Sequence, residues 1–142
     1  MNCDYAYTTP THLVEGQTLT GLNVVITGTS LPTTATVTFA GVNCVVSAAT
    51  GTQIDCALEV NPAAGDWTVV VKDEFGLIPV AGTVTAISVP LIVTSVTPNT
   101  NLNYLGGEVL TIVGQHFALD STINTVTMAD GTPCFILTST DT

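Results

Sequence analysis

The chain says the same thing twice. The stretch "NVVITGTSLPTTATVTFAGVNC", Asn23 to Cys44, returns as "VLTIVGQHFALDSTINTVTMADGTPC", Val109 to Cys134. Gly28 falls opposite Gly114 and Cys44 opposite Cys134, at offsets of 86 and 90 residues, with small insertions in turns to account for the drift. Thr9-Pro10-Thr11 likewise aligns with Thr97-Pro98-Asn99, and Gly16 with the Gly106-Gly107 pair. A period this long is a domain repeat, since solenoid units run to 20–50 residues. The 142 residues therefore divide into one module over 1–89 and the front part of a second over 90–142.

Each copy is built from short runs rich in Val, Ile and Thr between Gly, Pro, Asn and Asp, with almost no helical periodicity. Strands are expected near Leu22–Gly28, Ala35–Ala40, Val42–Ser47, Thr52–Leu58, Asp66–Lys72 and Thr83–Val89. In the second copy they are expected near Ile92–Thr97, Glu108–Gly114, Asn124–Ala129 and Cys134–Thr138. Closely spaced short strands of this kind indicate an all-β sandwich. In "DWTVVVKD" a period of two puts Trp67, Val69 and Val71 on one face and Thr68, Val70 and Lys72 on the other. Trp67 is the expected core anchor, because its indole would bury on the order of 150–250 Å².

Composition narrows the function. Only 8% of residues are charged while 46% are apolar, so the solvent faces must be covered by neutral polar groups. The 27 threonines suit that task, being β-branched and polar. Lys72 is the single basic residue against 11 acids, for a net charge of −10. Nucleic acid and anionic lipid need basic groups to displace counterions, so neither is an expected partner. The longest apolar run, "ISVPLIV", is too short to span a bilayer, so no membrane insertion is expected. The opening "MNCDYAYTTP" has neither the basic nor the apolar region of a signal peptide. Four cysteines without a Cys-x-x-Cys pair suggest disulfides and an extracellular or cell-surface location.

The runs "LTIVGQHF" and "VTMADGTPC", with "ITGTSL" and "VTFAGVNC" in the first copy, resemble the immunoglobulin-like fold shared by plexins and transcription factors, the IPT/TIG domain. The resemblance implies tandem immunoglobulin-like β-sandwiches, the second incomplete within this chain. The first copy departs from the family pattern at Thr29-Ser30-Leu31, where an aromatic is usual. "VTFAGVNC" followed by "TQIDC" resembles the paired cysteines of extracellular members. A Cys44–Cys56 disulfide is expected on that basis, between what read as neighbouring strands.

After Cys134 the chain gives only "FILTSTDT", without counterparts of Cys56, Trp67 or the closing strand. Written one after the other, "CFILTSTDT" and "MNCDYAYTTP" resemble "CVVSAATGTQIDCALEVNP". Cys3 then takes the place of Cys56, Met1 that of Ile54, and Tyr5 and Tyr7 those of Leu58 and Val60. Copies of the chain are therefore expected to join head to tail, as separate subunits or as periods of one longer chain, with Cys3 bridging to Cys134 of the preceding unit. A badly placed chain boundary, or a final module simply truncated, is the alternative to assembly.

No catalytic, cofactor or metal site is expected. Asp66, Asp73, Glu74, Asp120 and Asp130 read as turn residues at strand ends, without the converging oxygens that calcium needs. His12 and His116 stand far from the cysteines in sequence, and no nucleophile–His–acid pattern or phosphate loop occurs. Asn-x-Ser/Thr is absent, while the threonine hydroxyls permit O-linked glycans. The expected function is that of an extracellular structural repeat unit of a surface filament or stalk. The alternatives are a cell-surface adhesin or receptor-type binding module, and an accessory domain of a secreted carbohydrate-active enzyme.

Overall fold

The computed structural model describes residues 12–100 and 106–140. Those residues contain strands and turns and no helix. The first module carries β1 Leu13–Thr20, β2 Asn23–Thr29, β3 Thr36–Phe39, β4 Val42–Ala49, β5 Gln53–Leu58, β6 Gly65–Trp67, β7 Val70–Asp73, β8 Gly76–Leu77 and β9 Ile87–Val89. The second carries β10 Ile92–Thr97, β11 Thr111–Gln115, β12 Val126–Thr127 and β13 Pro133–Cys134.

Seven strands of the first module form one curled sheet in the order β1-β2-β5-β4-β3-β7-β8, and β6 pairs with β9 across from it. Every pairing is antiparallel except a parallel bridge between Val14 and Val80. The result is an immunoglobulin-like sandwich. Strict alternation fills its core. Val24 and Ile26 on β2, Val37 and Phe39 on β3, and Ile54, Cys56 and Leu58 on β5 point inward, while their neighbours in sequence face outward or lie half-buried.

The expected strand Asp66–Lys72 is two strands. Residues 65–67 pair with β9, whereas 70–72 pair with β3. The chain changes partner at Thr68-Val69, and Gln17 from β1 supplies what the ladder lacks there. Its Oε1 accepts the Val69 N–H at 2.7 Å, and its Nε2 donates to the carbonyls of Thr85 and Trp67 at 2.9 and 3.3 Å. An amide side chain satisfies such a corner because it both donates and accepts. Side chains of 67, 69 and 71 still share the inner face as expected, with Val69 and Val71 fully enclosed.

Trp67 takes a marginal place instead of anchoring the centre. It is half-buried against the core, and its Nε1–H donates to the Ala63 carbonyl at 2.8 Å. Phe39, Ile26 and Ile54 are the largest side chains fully enclosed. The indole's polar edge explains this: it needs a partner, and the β5–β6 linker beside the core provides one.

A candidate site: the open strand position in the second module

The two modules share their local geometry. In the first, Val14 pairs with Gly28 and the register slips between Val14 and Gly16. In the second, Val93 pairs with Gly114 and the same slip falls between Val93 and Ser95. A Cβ on Gly28 would stand 2.0 Å from the Leu13 carbonyl oxygen, and one on Gly114 would stand 2.0 Å from that of Ile92. Leu31 and Phe117 close over the two glycines in the same way. The aromatic that the first copy lacks in its turn is thus replaced by a fully enclosing Leu31.

This register corrects one part of the sequence alignment. Gly16 corresponds to Ser95, not to Gly106-Gly107, and Thr97 falls opposite Thr18. Thr9-Pro10-Thr11, the expected partner of Thr97-Pro98-Asn99, lies outside the described residues.

Further along, Val126 pairs with Cys134 as Val37 pairs with Cys44. Two longer loops separate the offsets of 86 and 90. The segment after Phe117 is pinned by Asp120, whose Oδ1 accepts from Thr122 N–H and Oγ–H at 2.9 and 2.6 Å. The β12–β13 turn passes through Asp130-Gly131, with Gly131 at φ 88° and the Thr132 N–H donating to Asp130 at 2.9 Å. Those hydrogen bonds hold both carboxyls below their ordinary value of 3.8, through the Thr122 side chain first for Asp120 and the Thr132 backbone N–H first for Asp130. Asp73 caps its own turn, accepting from the N–H groups of Phe75 and Gly76. The acidic residues at these turns are turn residues, as their spacing suggested. Among the described residues no group of three or more His, Cys, Asp or Glu is placed to hold a metal ion.

The modules differ from β5 onward: β10, β11, β12 and β13 correspond to β1, β2, β3 and β4, and among the described residues the second module has no counterpart of β5 to β9. In the first, β5 lies between β2 and β4, pairing along Asn23–Thr27 on one side and Cys44–Ala49 on the other. In the second, the counterparts β11 and β13 belong to separate two-stranded sheets, and among the described residues no strand lies between them. The consequence is visible on both flanks. β4 runs eight residues to Ala49, whereas β13 ends at Cys134, so the expected strand Cys134–Thr138 has only its first residue in a ladder. Likewise Glu108–Gly114 is shortened to Thr111–Gln115. Without a neighbour to accept and donate, the backbone there has no sheet to join.

Side chains follow. Val24, Ile26 and Phe39 are fully enclosed, while their counterparts Leu110 and Ile112 are half-buried and Met128 is exposed. Phe135, just past Cys134, is 94% exposed. Among the described residues the hydrophobic core cluster belongs wholly to the first module.

The cysteines mark the same contrast. Cys44 and Cys56 form a disulfide with a Cα–Cα distance of 5.4 Å, between β4 and β5, on the inner face. Cys134 occupies the position of Cys44, is half-buried, and has its thiol free. Cys3, its expected partner in the next unit, lies outside the described residues, as do Met1, Tyr5 and Tyr7.

The IPT/TIG domain family matches residues 9–85 and again 91–142. The chain belongs to that family of immunoglobulin-like domains, which are generally non-catalytic, and it carries two such domains in tandem. No curated protein matches the chain. Sequence reasoning located the repeat, the disulfide and the incomplete second copy. It missed β1 altogether, and with it Gln17.

Proposed function

We propose that the chain is a structural unit of an extracellular filament or stalk, assembled head to tail by strand donation. Residues 1–9 of one copy would lie between β11 and β13 of the preceding copy, in the place that β5 occupies in the first module. The open strand position is the observation that carries this reading. β5 presents Ile54, Cys56 and Leu58 to the core at every second residue, and Met1, Cys3 and Tyr5 repeat that spacing. A donated strand gains main-chain hydrogen bonds on both edges, with alternate side chains setting register. Such a contact joins unlike surfaces and does not close, so it generates a fibre. Cys3 would bridge to Cys134 as Cys56 does to Cys44.

Location outside the cell is supported by the disulfide. No helix of the described residues is long and apolar enough to cross a membrane. The test is electron microscopy of the full chain beside a chain lacking residues 1–11. Filaments from the first, and single particles from the second that bind a peptide of residues 1–10 at one per chain, support strand donation. Single particles from both, with no peptide binding, contradict it.

A second reading, that of a binding module, is favoured by Phe75. It is 87% exposed at the β7–β8 turn, beside a hollow lined by Thr34, Thr36, Lys72 and Glu74. A glycan-array screen in which Phe75→Ala abolishes a reproducible signal would support that role.

A further inference from the structure

The chain has two histidines, and both lie against the same turn, once in each module. β2 and β11 each lead into a residue held in the left-handed region, Ser30 at φ 52° and His116 at φ 66°, two positions past the buried glycine. Residues other than glycine seldom stay there unless surrounding contacts hold them, Asn, Asp and His more often than the rest.

At His116 the contacts come from the other module. The Ala64 N–H donates to the His116 carbonyl at 2.9 Å, and His116 Nδ1 lies 2.9 Å from the Pro62 carbonyl. Pro62 is fully enclosed. The segment leaving β5, Pro62-Ala63-Ala64, is thus seated on the turn of the second module. At Ser30 the arrangement is reversed in chemistry and alike in place. The Ser30 carbonyl is engaged by Nδ1 of His12, whose Nε2 lies 3.8 Å from Asp73. Because a carbonyl only accepts, Nδ1 carries the hydrogen in both rings.

His12 follows Pro10 at the spacing by which Ala64 follows Pro62. This inference rests on strand donation: if residues 1–9 fill the place of β5 in the preceding module, then Pro10-Thr11-His12 leaves that module one residue later than Pro62-Ala63-Ala64 leaves the first, since seven positions separate Cys3 from Pro10 and six separate Cys56 from Pro62. We infer that the left-handed turn after β2 or β11 is the seat of a repeating joint. It receives the Pro-x-x segment that emerges from the preceding module's central strand, with a second copy of this chain as the partner at every other joint. The imidazole comes from the turn at one joint and from the arriving segment at the next, and it bonds a carbonyl on the opposite side each time. Successive modules would then share one orientation along the fibre, within chains and between them.

The experiment uses two full chains fused from Thr142 to Met1, so that a donated strand follows its acceptor whether or not separate chains associate. Residual dipolar couplings report the orientation across the first boundary, within the leading copy, and across the second, at the fusion. The expected result is one orientation at both. His116→Gly in the leading copy, which keeps the left-handed backbone and removes the ring, should loosen only the first boundary. His12→Ala in the trailing copy should loosen only the second. Two different orientations, or a second boundary that tumbles freely in the unaltered fusion, would overturn the joint. Single chains that stay monomeric while the fusion shows matched joints would refute association of separate subunits and leave the joint standing.

Discussion

Gly28 and Gly114 are the residues at which the repeat is most physical. Each sits where a strand crosses so close to its neighbour that a Cβ would meet a backbone oxygen at 2.0 Å. Backbone cannot yield as a flexible side chain would, so Gly28→Ala must part β1 from β2. A loss of roughly 3 kcal/mol is expected, the upper end for overpacking a tight site. Gly41→Ala is the control: φ is 76° but nothing lies within 4 Å, so about 1–2 kcal/mol from the left-handed backbone is the whole effect. Urea unfolding at unchanged slope separates the two, and equal losses would contradict the account. The glycine pair was legible in the sequence because the same backbone approach demands the same residue twice. Gln17 was not. Its partners Val69, Trp67 and Thr85 are all fifty or more positions away, and a lone glutamine in a polar stretch announces nothing.

Among the elements, β1 was hidden by its bulge. Val14, Gln17 and Leu19 face the same side, and the register slip between Val14 and Gly16 breaks the alternation that marks a strand. The split between β6 and β7 was hidden for the opposite reason: side-chain alternation continues unbroken from Trp67 to Val71 while the hydrogen-bond partner changes. The β4–β5 hairpin was legible, disulfide included. Reducing Cys44–Cys56 should lower the first module's stability by about 3 kcal/mol, from the entropy returned to the unfolded chain. Denaturant midpoints with and without reductant measure this, and coincident curves would contradict it. The turns of the second module give a pH signature. Asp120 and Asp130 are held below 3.8 by hydrogen bonds that need the carboxylate. Their contribution is therefore complete above that ordinary value and is lost as pH falls through the lower folded value. The amide resonances of Thr122 and Thr132 should move with a midpoint below 3.8. Movement centred above 3.8 would refute the assignment.

On the scale of the molecule, the first sandwich is complete, while the second, among the described residues, has counterparts of β1 to β4 and none of β5 to β9. The first encloses Phe39, Ile26 and Ile54, whereas the second leaves Met128, Phe135 and Leu137 exposed. Open sheet edges and uncovered apolar faces recruit whatever strand fits them. The incompleteness was legible because the repeat supplied its own template, so each missing counterpart could be named. The missing counterparts fall in two places: that of β5 at the centre of the sheet, between β11 and β13, and those of β7 and β8 at its rim. A central gap accepts a strand with pairing on both sides, and that is why head-to-tail assembly is proposed. The measurement that tests it most directly mixes equal amounts of unfolded, reduced chain grown in ordinary and in nitrogen-15 medium. The mixture is refolded under oxidising conditions and its disulfide-linked peptides are read by mass spectrometry. The account expects Cys3 linked to Cys134, with half of those pairs carrying one light and one heavy partner, while Cys44–Cys56 pairs are never mixed. A free Cys134 thiol, or Cys3–Cys134 pairs that are never mixed, would contradict it.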